Sequence, residues 1–126
     1  RALPPILRRQ RQMCIRDSKW GLIGLTKTWA MELGPHKVRV NALCPASVEG
    51  ERIEAVMARD AEERGVSVSD IRQSYERQSS LQSFTRVEDI ASMVCYLASD
   101  AAVRISGQAI GLDGHTETLG NPLGAL

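Results

Sequence analysis

The 126-residue sequence has few aromatic side chains, no long apolar run and almost no net charge. Aromatic residues make up 4% of the chain, and the formal net charge is +1 at pH 7. No stretch of about 18 consecutive apolar residues is present, so the sequence predicts no membrane-spanning helix and no membrane partner. The near-zero charge disfavours a strongly basic nucleic-acid-binding protein. What remains is the composition of an ordinary globular domain, with 43% hydrophobic and 25% charged residues.

The three cysteines are too few and too far apart to predict a disulfide framework or a zinc site. Cys14, Cys44 and Cys95 form no Cys-x-x-Cys pair, and neither His36 nor His115 lies close to a cysteine in the sequence. We therefore predict reduced thiols, no metal site and a cytoplasmic location.

Basic charge is concentrated at the N-terminal end of the sequence. The first 20 residues hold six basic residues and one acidic residue, whereas the remainder holds ten basic and fourteen acidic residues. We interpret residues 1–17 as a basic segment that is unrelated to the rest or chimeric, and we expect it to be disordered. A basic arm for nucleic acid or an organelle-targeting segment is the alternative. A nucleic-acid role ranks last because the acidic remainder offers no supporting surface.

The first element with a clear apolar period is a helix predicted over residues 18–33. Ser18 is a suitable N-cap, and leucines and Trp29 recur at helical spacing. The apolar stripe is wider than one face requires, so we expect the helix to be buried on two sides. Gly21 and Gly24 each lower helix propensity by about 1 kcal/mol, and we attribute them to the close approach of a neighbouring backbone or ligand.

Alternation of Val38, Val40 and Ala42 with their neighbours predicts one strand over residues 37–45. A second strand is predicted over residues 106–114, where it ends in a glycine turn. A strand, a crossover helix and a second strand form a right-handed parallel unit, which is α/β architecture. One strand pair is too small a sheet for a complete domain, so we expect an incomplete fold. We also expect the first strand to leave an open edge, which favours self-association of the isolated chain.

Three helices are predicted between the two strands. The charged stretch over residues 51–81 has the period of two short amphipathic helices broken near Gly65. The sequence Thr85-Arg86-Val87-Glu88 fits a capping box that opens a third helix over residues 86–98. Its apolar face, which includes Val94, is expected to point inward.

From Ser18 onward the sequence resembles the C-terminal half of the short-chain dehydrogenase/reductase family. The matching stretches lie within residues 18–119, and their order and spacing are highly specific. The similarity is greatest to the 3-oxoacyl reductase-like branch and to the sugar or hydroxy-acid dehydrogenase-like members. The resemblance implies the C-terminal part of a Rossmann-like, doubly wound parallel sheet, with residues 120–126 as a tail. The stretches are SKWGLIGLTKTWAMELGPHKVRVNALCP, EDIASMVCYLASD and ISGQAIGLDG.

The resemblance implies an oxidoreductase that uses NAD or NADP to transfer a hydride between the nicotinamide and a small carbonyl or alcohol substrate. In the family a tyrosine exchanges the proton, and a lysine four residues later holds the cofactor ribose. A free tyrosine titrates near pH 10, and the lysine cation favours its phenolate. Lys19 matches that lysine and is the candidate catalytic and cofactor-binding residue. Pro45, Ala46, Ser47 and Val48 match the loop that holds the nicotinamide amide.

The sequence departs from the family pattern at positions that carry the chemistry. Ile15 occupies the tyrosine position, four residues before Lys19, and isoleucine cannot exchange a proton. Ala46 replaces a family glycine, and Gly50 replaces a frequent threonine. The family's glycine-rich nucleotide turn is also absent from the sequence. We therefore expect a fragment of a family enzyme that is inactive as this chain.

A non-catalytic role is the alternative hypothesis. The apolar stripe of residues 18–33 and the last strand match the family's subunit contacts. In this hypothesis the chain acts as an oligomerisation partner of a full-length family member. The intact protein is itself expected to be a homo-oligomer, either a dimer or a tetramer. The sequence leaves the substrate and the choice between NAD and NADP open.

Overall fold

The computed structural model describes the backbone of residues 5–116 and the side chains of residues 17–116. These residues fall into two compact units: residues 5–42 with 103–109, and residues 43–102 with 110–116. The predicted tail over residues 120–126 lies outside the described residues. The elements are α1 (Pro5–Leu33), a short 3₁₀ helix (Gly34–His36), β1 (Ala42–Pro45), α2 (Glu51–Arg64), α3 (Val68–Glu76), α4 (Val87–Ala98), a second 3₁₀ helix (Asp100–Ala102) and β2 (Ala109–Leu112).

Helix α1 is longer than the sequence predicted. It begins at Pro5, so Ser18 lies inside the helix and the predicted N-cap at Ser18 is wrong. The backbone of residues 5–17 is helical, and the disorder expected for residues 1–17 stays a prediction. No glycine or further proline interrupts residues 6–20, so a helix nucleated further along the chain propagates back through good helix formers. The unrelated or chimeric origin of residues 1–17 stays a prediction.

The apolar stripe of α1 is exposed within the described residues. Trp20 is 73% exposed and Met31 is 81% exposed, and Thr26 is the only buried side chain among residues 17–33. A Cβ added at Gly21 or Gly24 would meet nothing within 4 Å. The expected burial on two sides and the expected close neighbour at the glycines are therefore absent from this part of the chain. Amphipathic spacing predicts which side chains favour burial, but it does not show whether another surface packs against them.

The two strands form a two-stranded parallel sheet, as predicted for a partial α/β fold. Both strands are shorter than the predicted ranges. Before β1, the Val40 N–H donates to the Ser106 hydroxyl at 3.2 Å, while the Gly107 N–H donates to the Val40 carbonyl at 2.7 Å. Past the other end, the Ala46 N–H donates to the Leu112 carbonyl at 3.3 Å. The parallel register places the carboxyl ends of both strands at the same edge.

Helices α2 and α3 form a hairpin with the core of the second unit at their contact. The predicted break near Gly65 is confirmed, since Gly65 ends α2 with φ +66°, a left-handed conformation that glycine adopts without strain. Met57 is 2% exposed and packs in one cluster with the buried residues Ala61, Ile71 and Phe84. Three of these four residues lie within the two helices that the amphipathic period of residues 51–81 predicts, and Phe84 lies beyond them.

Helix α4 begins with a different cap from the predicted one. The Arg86 N–H donates to Asp89 Oδ2 at 2.9 Å, so Asp89 takes the role that the sequence assigned to Glu88. The side-chain hydrogen bond from Arg86 lowers the pKa of the Asp89 carboxyl. The Thr85 hydroxyl is absent from this cap because it bonds elsewhere. The predicted inward face is also uncovered in part, since Val94 is 50% exposed.

Candidate functional site

Residues 45–48, which comprise the last residue of β1 and the loop that follows it, lie at the carboxyl end of the two parallel strands. In open α/β sheets, ligands bind in the crevice beyond that edge. Thr85 holds the loop from the other side, because its N–H donates to the Ser47 carbonyl at 3.0 Å and its carbonyl accepts from Glu49 N–H at 2.9 Å. Val48 and Thr85 form an isolated parallel bridge. We call residues 45–48 the β1 loop.

Thr85 also ties the β1 loop to the end of β2, and the sequence did not identify this role. Its hydroxyl donates to the Leu112 carbonyl at 2.6 Å. The same carbonyl accepts the Ala46 N–H, so one acceptor joins both segments to β2. The capping-box motif predicts a helix cap for this hydroxyl, whereas the structure shows it bonded to β2.

A cavity of about 250 Å³ lies beside the β1 loop, within the second unit. Ala46 and Ser47 line it, whereas Pro45 is exposed and Val48 is not among the lining residues. The structure thus brings two of the four predicted loop residues to one cavity. The opposite wall comes from α3, the turn that follows it and the end of β2, and it includes Tyr75, Ser79, Phe84 and Asp113.

Lys19 lies on α1 in the first unit, and its side chain is exposed. Position 15 precedes it by about one helical turn, but the side chain of Ile15 lies outside the described residues. The predicted catalytic and cofactor-binding role of Lys19 stays a prediction.

Tyr75 is a half-buried phenol on the wall of the cavity. Burial and, to a lesser degree, the negative charge of Asp60 raise its pKa, while Arg64 opposes the shift. Tyr75 therefore keeps its proton at neutral pH and serves as a hydrogen-bond donor rather than as a base. It does not occupy the position of the family's proton-exchanging tyrosine.

The cation close to the cavity wall is already paired. The Arg72 guanidinium lies 5.0 Å from the centre of the Phe84 ring. It also contacts Glu76 at 3.0 Å and Glu49 at 3.1 Å. Two carboxylates therefore offset the charge of Arg72, and its ion pair with Glu49 links α3 to the loop that precedes α2.

The cavity is too small to enclose a whole dinucleotide. Its volume of about 250 Å³ is below the range of roughly 300–1,000 Å³ typical of small-molecule sites. The Ser47 hydroxyl and the backbone of the β1 loop supply polar groups for an amide at its edge. Among residues 17–116, no group of three His, Cys, Asp or Glu side chains is placed to hold a metal ion. No helix in the described part of the chain is long and apolar enough to cross a membrane.

Comparison with known proteins gives consistent matches. Residues 8–115 match the family profile described as enoyl-(acyl carrier protein) reductase. The chain is 37% identical over 97 residues to the 3-oxoacyl-(acyl-carrier-protein) reductase FabG of Thermotoga maritima, covering 77% of this chain and 35% of that protein. It is 35% identical over 98 residues to the D-beta-hydroxybutyrate dehydrogenase of Rhizobium meliloti, covering 77% and 38%. The chain therefore spans less than half the length of these relatives.

A solved structure agrees with this result. The F189W actinorhodin polyketide ketoreductase with NADPH matches the fold with a TM-score of 0.73 and 26% sequence identity. The match covers 82% of this chain and 40% of the ketoreductase.

Proposed function

Because the chain belongs to the short-chain dehydrogenase/reductase family, we propose that its protein is an oxidoreductase that transfers a hydride between a nicotinamide cofactor and a small carbonyl or alcohol substrate. The family uses NAD or NADP. The observation that supports the proposal is the β1 loop, which lies at the carboxyl edge of two parallel strands and lines a cavity with Ala46 and Ser47. Ligands bind at this edge in sheets of this type.

The chain's own residues have separable roles in this proposal. The bound cofactor supplies or accepts the hydride. The β1 loop orients the nicotinamide end, with Ser47 as a polar contact at the cavity edge. Lys19 is assigned the role of holding the cofactor ribose, whereas the phenolate that its cation would favour is missing, because Ile15 occupies that position in this chain. Thr85 keeps the β1 loop against β2 and acts as a positioning residue.

We also propose that this polypeptide does not turn over substrate, because isoleucine at position 15 cannot exchange a proton. General acid–base catalysis contributes about 10²- to 10⁴-fold in rate. A purified sample is therefore expected to show no carbonyl-dependent oxidation of NADH or NADPH above the enzyme-free rate. Turnover by the unaltered chain would contradict this part of the proposal.

A hybrid enzyme tests the proposed function. Residues 18–116 of this chain replace the matching segment of the Thermotoga maritima relative, which supplies the rest of its own sequence, including the residues before Ser18. We expect the hybrid to reduce a carbonyl substrate with NADH or NADPH. Lys19→Met is expected to lower kcat/KM at least about tenfold, because a cation next to the phenol is lost.

Lys27→Met is the matched control for that variant. Lys27 is also an exposed lysine of α1, two helical turns beyond Lys19. Its replacement is expected to leave kcat/KM within about twofold. Equal losses for Lys19→Met and Lys27→Met, or a folded hybrid without activity, would contradict the proposed function.

Assembly and location belong to the same proposal. We infer a homo-oligomer, a dimer or tetramer, for the intact protein, supported by the exposed Trp20 and Met31 on α1. We retain the cytoplasmic location on the basis of cysteine usage. The alternative of a non-catalytic oligomerisation partner is not favoured, because the relatives reported above are named as reductases and dehydrogenases.

A further inference from the structure

A second cavity, of about 490 Å³, lies within the second unit, between the turn that follows α3, the start of α4 and the end of β2. It shares Ser83, Phe84 and Asp113 with the cavity beside the β1 loop, but no residue of the β1 loop is among the described residues that line it. Its volume falls within the range of roughly 300–1,000 Å³ typical of small-molecule sites. The proposed hydride transfer assigns no role to this second cavity.

Ser80 and His115 both line the second cavity and form a short hydrogen bond there. The Ser80 Oγ lies 2.7 Å from His115 Nδ1, whereas the His115 carbonyl oxygen lies 3.3 Å from the same hydroxyl. Hydroxyl donors ordinarily reach oxygen acceptors at about 2.5–3.0 Å, so the ring nitrogen is the better acceptor. In the imidazole tautomer that carries its proton on Nε2, Nδ1 accepts the Ser80 proton. This is the geometry of a nucleophile and its general base.

The backbone of His115 is held in a conformation that histidine rarely adopts. Its φ is +66°, in the left-handed region that disfavours a residue with a Cβ. Asp113 Oδ1 accepts the His115 N–H at 2.9 Å, and the His115 carbonyl accepts the Ser80 N–H at 3.2 Å. Residues held in such regions cluster at active sites and ligand-binding segments. These bonds keep the imidazole next to the Ser80 hydroxyl.

The Ser80–His115 pair is accessible to a small reactant, because both residues are exposed. The second cavity exposes more apolar than polar surface, and its larger apolar side chains are Leu81, Phe84 and Leu112. A mostly apolar lining with few polar groups is typical of sites that bind small molecules. A reactant with an apolar acyl group therefore meets complementary surface next to the Ser80 hydroxyl.

The acidic residues of the lining disfavour an anionic reactant. Asp89 and Asp113 are the two carboxylates, and no lysine or arginine is among the described residues that line the second cavity. Arg86 offsets the charge of Asp89, because their side chains form an ion pair at 2.9 Å. Asp113 accepts hydrogen bonds from the His115 N–H and the Thr116 hydroxyl, which do not neutralise its charge. A carboxylate on the reactant would therefore be repelled by Asp113.

We propose that Ser80 and His115 form a nucleophile–base pair that hydrolyses small, uncharged esters with an apolar acyl group. Ser80 Oγ bonds to the ester carbonyl carbon while its proton passes to His115 Nδ1, and the alcohol leaves with that proton as its C–O bond breaks. Water then attacks the acyl group on Ser80 with His115 as the base, and the carboxylic acid leaves as Ser80 recovers a proton. The reaction uses neither the nicotinamide cofactor nor the β1 loop, so it is independent of the proposed function.

Hydrolysis of p-nitrophenyl butyrate by the purified 126-residue polypeptide tests the proposal. We expect p-nitrophenol to be released at least about tenfold faster than in the absence of protein, because the base activates the nucleophile. Mass spectrometry of peptides from an acid-quenched reaction is expected to place a butyryl group on Ser80. A folded polypeptide that releases p-nitrophenol no faster than buffer would overturn the proposal.

Ser80→Ala removes the nucleophile and is expected to lower the protein-dependent rate at least about tenfold. Ser92→Ala is the matched control, because Ser92 is an exposed serine on α4 and is not among the described residues that line the second cavity. Its rate is expected to stay within about twofold of that of the unaltered chain. Equal rates for Ser80→Ala and Ser92→Ala would contradict the assignment of Ser80.

His115→Gly tests the base, since glycine adopts φ +66° without strain and the substitution leaves the backbone turn in place. It is expected to lower the protein-dependent rate at least about tenfold, and added imidazole is expected to raise it again at least about threefold. The double variant Ser80→Ala/His115→Gly measures the reaction of imidazole itself. His36→Gly is the matched control, because His36 is an exposed histidine in the first unit. Equal gains from imidazole in the single and double variants would contradict the role of His115.

The mono-p-nitrophenyl ester of succinate tests the substrate class, because it adds a carboxylate to an acyl chain of the same length. Its kcat/KM is expected to be at least about threefold below that of p-nitrophenyl butyrate, owing to repulsion by Asp113. Asp113→Asn keeps an oxygen acceptor for the His115 N–H and removes the charge, so it is expected to bring the two values within about twofold. An equal or higher kcat/KM for the succinate ester with the unaltered chain would overturn the substrate class.

Discussion

Replacing Thr85 by valine isolates the hydrogen bond that ties the β1 loop to β2. Valine retains the branched shape at Cβ and loses only the hydroxyl, which donates to the Leu112 carbonyl at 2.6 Å. A net neutral hydrogen bond contributes about 0.5–1.5 kcal/mol. The Leu112 carbonyl keeps its second donor, the Ala46 N–H at 3.3 Å, so the desolvation cost is small and the loss is about 1 kcal/mol.

That loss corresponds to about a fivefold increase in the local opening constant of the β1 loop. Amide hydrogen exchange at Ala46 and Glu49 measures it, because these amides bond to Leu112 and to Thr85 itself. Thr28→Val is the matched control, since the Thr28 hydroxyl donates to the Gly24 carbonyl at 3.2 Å on the exposed face of α1. Unchanged exchange at Ala46 in Thr85→Val, or an equal change in Thr28→Val, would refute the role of Thr85.

Three further predictions concern the stability of the helices. Met57→Ala should lower the free energy of unfolding by about 2–5 kcal/mol in urea titrations, whereas Val56→Ala, at a position 39% exposed, should change it by about 0.5 kcal/mol or less. Gly65→Ala should destabilise the chain by about 1 kcal/mol, because the backbone at position 65 has φ +66°. Gly21→Ala should stabilise α1 by a similar amount, since a Cβ added at position 21 would meet nothing within 4 Å. Thermal denaturation should therefore show shifts of opposite sign for the two variants. Because the pKa of Asp89 is lowered in the folded state, its charged carboxylate stabilises the start of α4 when the pH is above the ordinary pKa of 3.8. This stabilisation is lost as the pH falls through the folded-state pKa. Amide chemical shifts recorded between pH 6 and pH 2 should show this pH dependence, and Asp89→Asn should remove it.

Local patterns predicted the second unit well. The period of residues 51–81 and Gly65 located two helices, because amphipathic spacing and a left-handed helix end depend on neighbouring residues alone. The family resemblance located the β1 loop, and the structure places Ala46 and Ser47 at a cavity. These features required no knowledge of distant contacts.

The remaining features depend on contacts that spacing does not encode. Thr85 matched a capping motif, but its hydroxyl bonds to a residue 27 positions away, and Asp89 caps the helix instead. The stripe on α1 predicted burial, yet the described residues leave Trp20 and Met31 exposed, because burial requires a partner surface. Helix α1 begins at Pro5, so the change in composition before Ser18 does not mark a helix boundary.

The account depends most directly on position 15. A second hybrid carries residues 8–116 of this chain, with Ile15 in place, and the matching remainder of the Thermotoga maritima relative. Carbonyl reduction with NADPH is measured for this hybrid and for its Ile15→Tyr variant. We predict that Ile15→Tyr raises the rate by about 10²- to 10⁴-fold, because it supplies a phenol one helical turn before Lys19. Equal rates for the two proteins would contradict the assignment of this chain to the hydride-transfer site.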